Sequence, residues 1–451
     1  MSPTIEQRRK LKILHFMPEN FVWGGIETYL NLMLPRLAKN QEYDITAVVT
    51  KDGQLYENLK AAGVKVHGLS FPFKKRSLFR SAWVNPFGRL IDLSVYMRLI
   101  PFLKKEKPDL IHIHNGMIEQ SLIALAGFPM VMTYHGYGGI FNIEGAPTPL
   151  YKKINTFLRP LVAGAFPFLS GMLVVSDYER RRLYREQYLA KDFNAEVLYN
   201  GIPTEELTAR ADKTDRLKIR REVFGLSQEA AENTRIVSYS CRLTQERNPL
   251  AVLRIAKKVL QNQRLNKPVY FVVAGEGKMA GEFEHAFTHD PVLASNGRYL
   301  GFRNDIPEII TASDLTINTS PQEGFGLRVL ESLIFGRPCI TYATGGIPEV
   351  MDLPLAQSWL IPLHEEDAFA ERVVDILNMS DDNLQALAPV LQTHGKGFDI
   401  STHIERLLGF YGRTFQKLGL EAEKPAEQPT EKTTEISTPP LPAIKPPVSI
   451  S

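Results

Sequence analysis

Arg235-Ile236-Val237-Ser238-Tyr239-Ser240 decides the fold, because a pattern already run through once begins again there. Short apolar runs followed by longer amphipathic stretches recur from this point at 269–274, 298–300, 315–319, 338–342 and 359–361. The same alternation fills the first half, with runs at 12–17, 45–50, 64–69, 110–114, 130–135, 172–175 and 196–199. Strand and helix in alternation are the signature of βαβ units and a mostly parallel sheet. Two such series predict an α/β protein of two doubly wound domains. Open parallel sheets take ligands outside the carboxyl ends of their strands, so the strand-end loops of both domains should face one cleft.

Composition agrees with this division. The chain has 451 residues, 44% hydrophobic and 23% charged, which suits a globular protein of two or three domains. The turn signal Asn200-Gly201-Ile202-Pro203 separates a first domain, 1–200, from a second, 201–400, whose charged residues 204–234 form a helical lead-in. Residues 401–420 read as a C-terminal helix packing back on the first domain. The tail 421–451, rich in Pro, Thr, Glu and Lys, has too little apolar surface to offset its ordering entropy and is expected to be disordered. Net charge is +3, yet residues 1–200 hold 26 Lys and Arg against 17 Asp and Glu, so the excess positive charge lies in the first half. Cys241 and Cys339 sit in apolar stretches and read as core residues of a reducing compartment. No apolar run reaches membrane-spanning length; residues 161–175 come nearest and contain Pro167. The basic start at residues 8–12 lacks a signal-peptide cleavage pattern. A cytoplasmic protein is expected.

Several polar signals fall at strand ends. Pro321-Gln322-Glu323-Gly324-Phe325-Gly326-Leu327-Arg328-Val329-Leu330-Glu331 joins a glycine-containing loop to a helix and carries two acids. Unpartnered N–H groups at a helix start attract phosphate, and glycines let a ligand approach the backbone. A carboxylate accepts two hydroxyl hydrogen bonds, so Glu323 and Glu331 can each hold a polyol. Gly24-Gly25 suits either a phosphate contact or a tight turn. Arg242 and Arg247, on the loop before a helix near Pro249, suit either a diphosphate or solvent. His135 ends a strand and can meet a sugar hydroxyl. His112 and His114 alternate on a buried strand and suit packing or support, with no third ligand at metal-like spacing. Gly275-Glu276-Gly277 departs from G-x-G-x-x-G and opens no first βαβ unit, which argues against a dinucleotide site.

In order along the chain, Gly24-Gly25, Asp109-Leu110-Ile111-His112-Ile113-His114, Thr133-Tyr134-His135-Gly136, Val174-Val175-Ser176, Tyr199-Asn200-Gly201-Ile202, Arg242-Leu243, Ala274-Gly275-Glu276-Gly277, Leu300-Gly301-Phe302, Ala312-Ser313-Asp314, Glu323-Gly324-Phe325-Gly326, Glu331 and Gly345-Gly346-Ile347-Pro348-Glu349 together form an ordered set. The set resembles the family-4 retaining glycosyltransferases of GT-B fold, over residues 11 to 415. The resemblance implies two Rossmann-like domains facing a central cleft and a nucleotide diphosphate sugar held mainly by the second. Glu331 would then hold the ribose and Glu323 the transferred sugar. The N–H groups of Gly324, Phe325, Gly326 and Leu327 would meet sugar and phosphates, and Arg242 and Arg247 the diphosphate. Gly24 and Gly25 would reach across the cleft, His135 would lie near the anomeric centre, and the base would lie near Phe302. His135, Arg242, Arg247 and Glu323 are the expected catalytic set. Three departures from the family pattern stand out: Arg247 where lysine is usual, Cys241 where glycine is usual, and Ser332-Leu333-Ile334 after the second acid.

With no D-x-D sequence to hold a divalent metal, the leaving diphosphate is expected to be stabilised by the two arginines and the helix start, and no cofactor is expected. Expected partners are the donor and a glycan or lipid-linked acceptor, with an anionic membrane surface met through the basic residues 74–83 and 180–185. No nucleic-acid-binding module is present. A sugar-nucleotide epimerase of the same build and a non-catalytic nucleotide-sugar binder are the alternatives.

Overall fold

The computed structural model describes residues 9–17, 24–51, 53–69, 99–114, 123–124, 126–136 and 168–420. The basic run 74–83 and the tail 421–451 lie outside the described residues. The first domain holds β1 (Leu11–Phe16), β2 (Tyr43–Thr50), β3 (Lys65–Leu69), β4 (Leu110–His114), β5 (Met130–Tyr134), β6 (Gly171–Val174) and β7 (Ala195–Val197). They form one sheet in the order β3-β2-β1-β4-β5-β6-β7, every pair parallel. The second domain holds β8 (Arg235–Ser240), β9 (Val269–Ala274), β10 (Gly297–Tyr299), β11 (Leu315–Asn318), β12 (Cys339–Tyr342) and β13 (Leu360–Ile361). Their order is β10-β9-β8-β11-β12-β13, again all parallel. The α/β architecture of two doubly wound sheets is therefore as the alternation predicts, with strand limits within a residue or two. Residues 204–234 contain three helices, Thr204–Asp212, Arg216–Glu222 and Gln228–Asn233.

Strand order reverses on either side of β1 and β8, which places the crevice of each sheet at the loops leaving these strands. Helices cover both faces of a parallel sheet, so its strands read as continuous apolar runs. β4, β5, β11 and β12 are buried along their whole length. In the second domain Val237, Phe271, Ile317 and Ile340 share a core with Val252, Ile255 and Val259 of helix Leu250–Leu260 and with Leu330 and Leu333 of helix Leu327–Ile334.

The chain crosses between domains twice, and the two crossings lie side by side. Ile202 and Asp399 form a parallel bridge, with Ile202 N donating to Phe398 O at 3.0 Å and Ile400 N to Ile202 O at 3.0 Å. Gly201 permits this approach, since a Cβ there would lie 2.6 Å from His403 Cβ. Asp399 accepts from Ser401 N at 2.8 Å and so caps helix Ile400–Lys417, which returns to the first sheet. Leu407, Phe410, Tyr411 and Phe415 of this helix share a core with Ile13, Leu34, Tyr43 and Leu173. Gly171 opens β6 beneath it, where a Cβ would meet Phe410 Cζ at 2.8 Å.

Phe410→Ala leaves a cavity between helix and sheet and should lower stability by about 3–5 kcal/mol. Denaturant unfolding measures this; a loss under about 1 kcal/mol would mean that the helix is not part of the first domain's core.

Candidate functional site

The donor-side loop is shaped by backbone contacts that exclude side chains. Gly326 has φ 102°, a left-handed conformation favoured by glycine, and opens helix Leu327–Ile334. Gly345 has φ 59°, and a Cβ there would stand 1.6 Å from Glu323 O, while Gly346 N donates to the same carbonyl at 3.0 Å. Residues 323–326 are thus pressed onto the Gly345-Gly346 turn. Arg247 Nη1 pairs with the Glu323 carboxylate, both side chains about one-sixth exposed. Glu331 is held at 2.5 Å by Arg328 Nη1 of its own helix. Arg247 ends a short 3-10 turn, Gln245–Arg247, and the next residue, Asn248, accepts from Thr319 Oγ1 at 3.1 Å, which ties the turn to the end of β11.

Gly275 and Gly277 prove to be packing glycines. A Cβ on Gly275 would lie 1.9 Å from Cys241 O and one on Gly277 would lie 2.3 Å from Leu243 O, so the two clamp the loop that carries Arg242. Leu243 N donates to Glu276 O at 3.0 Å, completing the clamp. Gly301 O accepts from Gly275 N at 2.8 Å, and Phe302 beside it is 66% exposed. Phe325 points elsewhere: its ring is buried, with its centroid 5.8 Å from those of Tyr199 and Phe398.

The first domain meets this loop backbone to backbone. His135 follows β5, Gly136 has φ 73°, and a Cβ on Gly324 would stand 2.3 Å from His135 O. Ser176 Oγ donates to Gly324 O at 2.8 Å. The Glu349 carboxylate accepts from Asp177 N and Tyr178 N at 2.7 Å each, capping helix Asp177–Arg185 from the opposite domain. Gly24 caps helix Gly25–Leu37, and a Cβ there would lie 3.8 Å from Arg242 Nη2. Gly25 opens the helix and is exposed. Gly24, His135, Arg242, Arg247, Glu323 and Gly324 therefore surround one cleft.

Sequence reasoning gave no role to Glu27, nor to Glu349 beyond its place in the ordered set. Glu27 lies under the Gly24 turn, where burial raises its pKa against the pull of the Glu27 and Gly24 backbone and Arg242. A carboxylate in the first turn of a helix, three residues after a glycine at a strand end, was the available signal. The basic run 180–185 is less uniform than its composition: Arg182 turns inward to Glu179 at 2.8 Å and Tyr134 OH at 2.6 Å, and Arg180 and Arg181 both pair with Asp177.

The expectation that His112 and His114 lack a third nitrogen is corrected by the fold. β1 pairs with β4 in a register that sets His15 opposite His112, and candidate ligand atoms of the three rings lie within 4.8 Å of one another. Their ring planes lie 15° to 36° apart. The rings form a hydrogen-bonded row. His135 Nε2 meets His114 Nδ1 at 3.0 Å, and His114 Nε2 meets His15 Nδ1 at 3.0 Å. His15 Nε2 lies 3.2 Å from Tyr411 OH, which lies 2.5 Å from His112 Nδ1, and His112 Nε2 ends the row on Thr133 Oγ1 at 2.7 Å. His403 stands nearby, its Nδ1 donating to Tyr199 O at 2.7 Å, so Nε2 accepts from Tyr29 OH at 2.8 Å. Burial pushes His15 and His135 down to about 3 and His403 to about 4, and holds His112 and His114 well below the usual value. Each ring is neutral with one donor and one acceptor, so donation runs in one sense along the row.

Residues 225–387 match the family model described as Glycosyl transferases group 1, and residues 23–206 match Glycosyltransferase Family 4. Over 413 residues the chain is 25% identical to the UDP-Gal:alpha-D-GlcNAc-diphosphoundecaprenol alpha-1,3-galactosyltransferase of Escherichia coli, covering 89% of this chain and 97% of that protein. Among solved structures it is similar to Anabaena HepE in complex with UDP-glucose, with TM-score 0.66, 18% identity, and coverage of 89% and 100%. A glycosyltransferase from Rickettsia africae gives TM-score 0.69 at 16% identity, with coverage of 91% and 100%.

Stability should fall in acid. The five histidines have folded pKa values below their unfolded value near 6.5, so their contribution is complete above that pH and is lost as pH drops toward 4. A ring that stays neutral in the folded state accounts for on the order of 1 kcal/mol per pH unit in that window. Denaturant titrations at pH 7.5 and 5.5 should show the fall; equal stabilities would contradict neutral burial.

Proposed function

Because the chain belongs to the family-4-type glycosyltransferases of GT-B fold, we propose that it moves a hexosyl group from a UDP-sugar to a hydroxyl of a lipid-linked diphosphate saccharide. Transfer proceeds with retention of anomeric configuration and without a metal ion. The observation that carries this reading is the pairing of Arg247 with Glu323 before the Leu327–Ile334 helix start, opposite His135, with Arg242 on the loop of Arg247 and beside the Gly24 turn. Two guanidinium groups and a helix N-terminus supply fixed positive potential where a diphosphate leaves.

On donor binding the diphosphate competes with Glu323 for Arg247, and the carboxylate so released turns to the sugar hydroxyls. Glu331, oriented by Arg328, takes the ribose. The backbone N–H groups of residues 324–327 hold sugar and phosphate, and Phe302 presents an exposed ring where the base lies. His135, neutral at physiological pH, hydrogen-bonds the transferred sugar without adding a charge. The leaving phosphate oxygen accepts the proton of the attacking hydroxyl, and both events occur on one face of the sugar ring.

The name of the Escherichia coli relative supports a UDP-sugar donor and a polyprenyl diphosphate acceptor. An excess of basic residues in the first half is compatible with an anionic acceptor and an anionic membrane surface. Among the described residues no helix is long and apolar enough to cross a membrane.

Glu323→Gln and Arg247→Ala should each lower kcat/KM by about 100-fold or more, as loss of one transition-state contact does. Turnover should be unchanged by EDTA, and NMR of the product should show the donor's anomeric configuration. Inverted or metal-dependent product would overturn the mechanism, and an epimerised donor in the absence of acceptor would identify an epimerase.

A further inference from the structure

The end of the second sheet opposite the cleft, where β11 and β12 begin, carries a cluster of charge that sugar transfer does not use. Asp314 precedes β11 and Arg337 stands two residues before β12; since Thr316 pairs with Cys339, Asp314 and Arg337 are neighbours in register. Arg216 and Arg220 reach the same place from helix Arg216–Glu222. Asp314 Oδ1 accepts from Arg216 Nη2 at 2.8 Å and Arg220 Nη2 at 2.9 Å, while Oδ2 accepts from Arg220 Nη2 and Ile236 N, both at 2.8 Å. The carboxylate is saturated. Arg220 is completed by Ala312 O at 2.8 Å and Ala231 O at 2.9 Å.

Arg337 is left over. Among the described residues its guanidinium has no carboxylate within ion-pair distance and its Nε is buried without an acceptor; Arg216 Nε is buried without one as well. Two guanidinium groups share the one carboxylate and the third stands beside them without one, and leaving a partly buried charge uncompensated is costly. Burial and the charges of Arg216 and Arg220 hold Arg337 down to about 9. Arg216 keeps about a third of its side chain exposed, which opens the cluster to solvent.

We propose that Arg337 and Arg216 bind a phosphate-class oxyanion on the back of the second domain, remote from the sugar-transfer cleft. A planar guanidinium offers paired N–H groups that match the oxygens of a phosphoryl group. The site is independent of the reaction assigned to the cleft.

Thermal unfolding of the full chain, in saturating UDP to occupy the cleft and at constant ionic strength, tests it. Inorganic phosphate replacing chloride should give a saturable rise of roughly 5 °C. Arg337→Leu should abolish the rise while leaving turnover unchanged; if that variant does not fold, Arg216→Gln should flatten the response. A hexose phosphate acting more strongly through Arg337 would uphold the site and identify its source as a phosphorylated metabolite. An Arg337→Leu curve superimposed on that of wild type, or a rise equal for chloride and phosphate, would overturn the proposal.

Discussion

Two backbones meet across the cleft where neither can carry a side chain. A Cβ on Gly324 would stand 2.3 Å from His135 O, and one on Gly136 would stand 2.7 Å from Gly324 Cα. That contact fixes the distance between the domains, and the rest of the site follows from it. With the gap closed, Ser176 Oγ reaches Gly324 O and the Glu349 carboxylate reaches the start of helix Asp177–Arg185. Arg242 likewise comes to lie beside the Gly24 turn. One methyl group at either glycine would separate every one of these pairs.

The charged groups of the cleft are held before any ligand enters. Arg247 with Glu323, both partly buried, and exposed Arg328 with Glu331 keep four long side chains in place. Ion pairs of this kind add little net stability, because desolvation offsets attraction. Their value lies in preorganisation: in the proposed reaction a diphosphate would exchange one anionic partner of Arg247 for another and would not have to desolvate a free guanidinium.

The strands were legible because parallel sheets bury both faces, and runs such as Leu110–His114 and Cys339–Tyr342 carry no solvent-facing alternation. The cleft was legible because its polar residues sit at strand ends, where open sheets bind ligands. What stayed hidden depends on contacts between distant segments. His15 joins His112 and His114 only through the β1–β4 register. Arg182 lies in a run of arginines that reads as surface, yet it is buried against Glu179. Gly275 and Gly277 read as an incomplete nucleotide motif until the Cys241–Leu243 backbone appears above them. The ring of Phe325 reads as part of the ligand loop, though it packs between Tyr199 and Phe398.

Ile202 and Asp399 place the two interdomain crossings next to each other, joined by backbone hydrogen bonds on both sides of the bridge. A single linker would let one domain rotate freely about it. A paired ribbon bends across its width far more readily than it shears or twists, which leaves opening and closing as the soft motion and penalises torsion. Each closure therefore returns Gly324 to His135 in the same alignment, and the tolerance of the glycine contact is met by the mechanics of a strap some distance from the cleft.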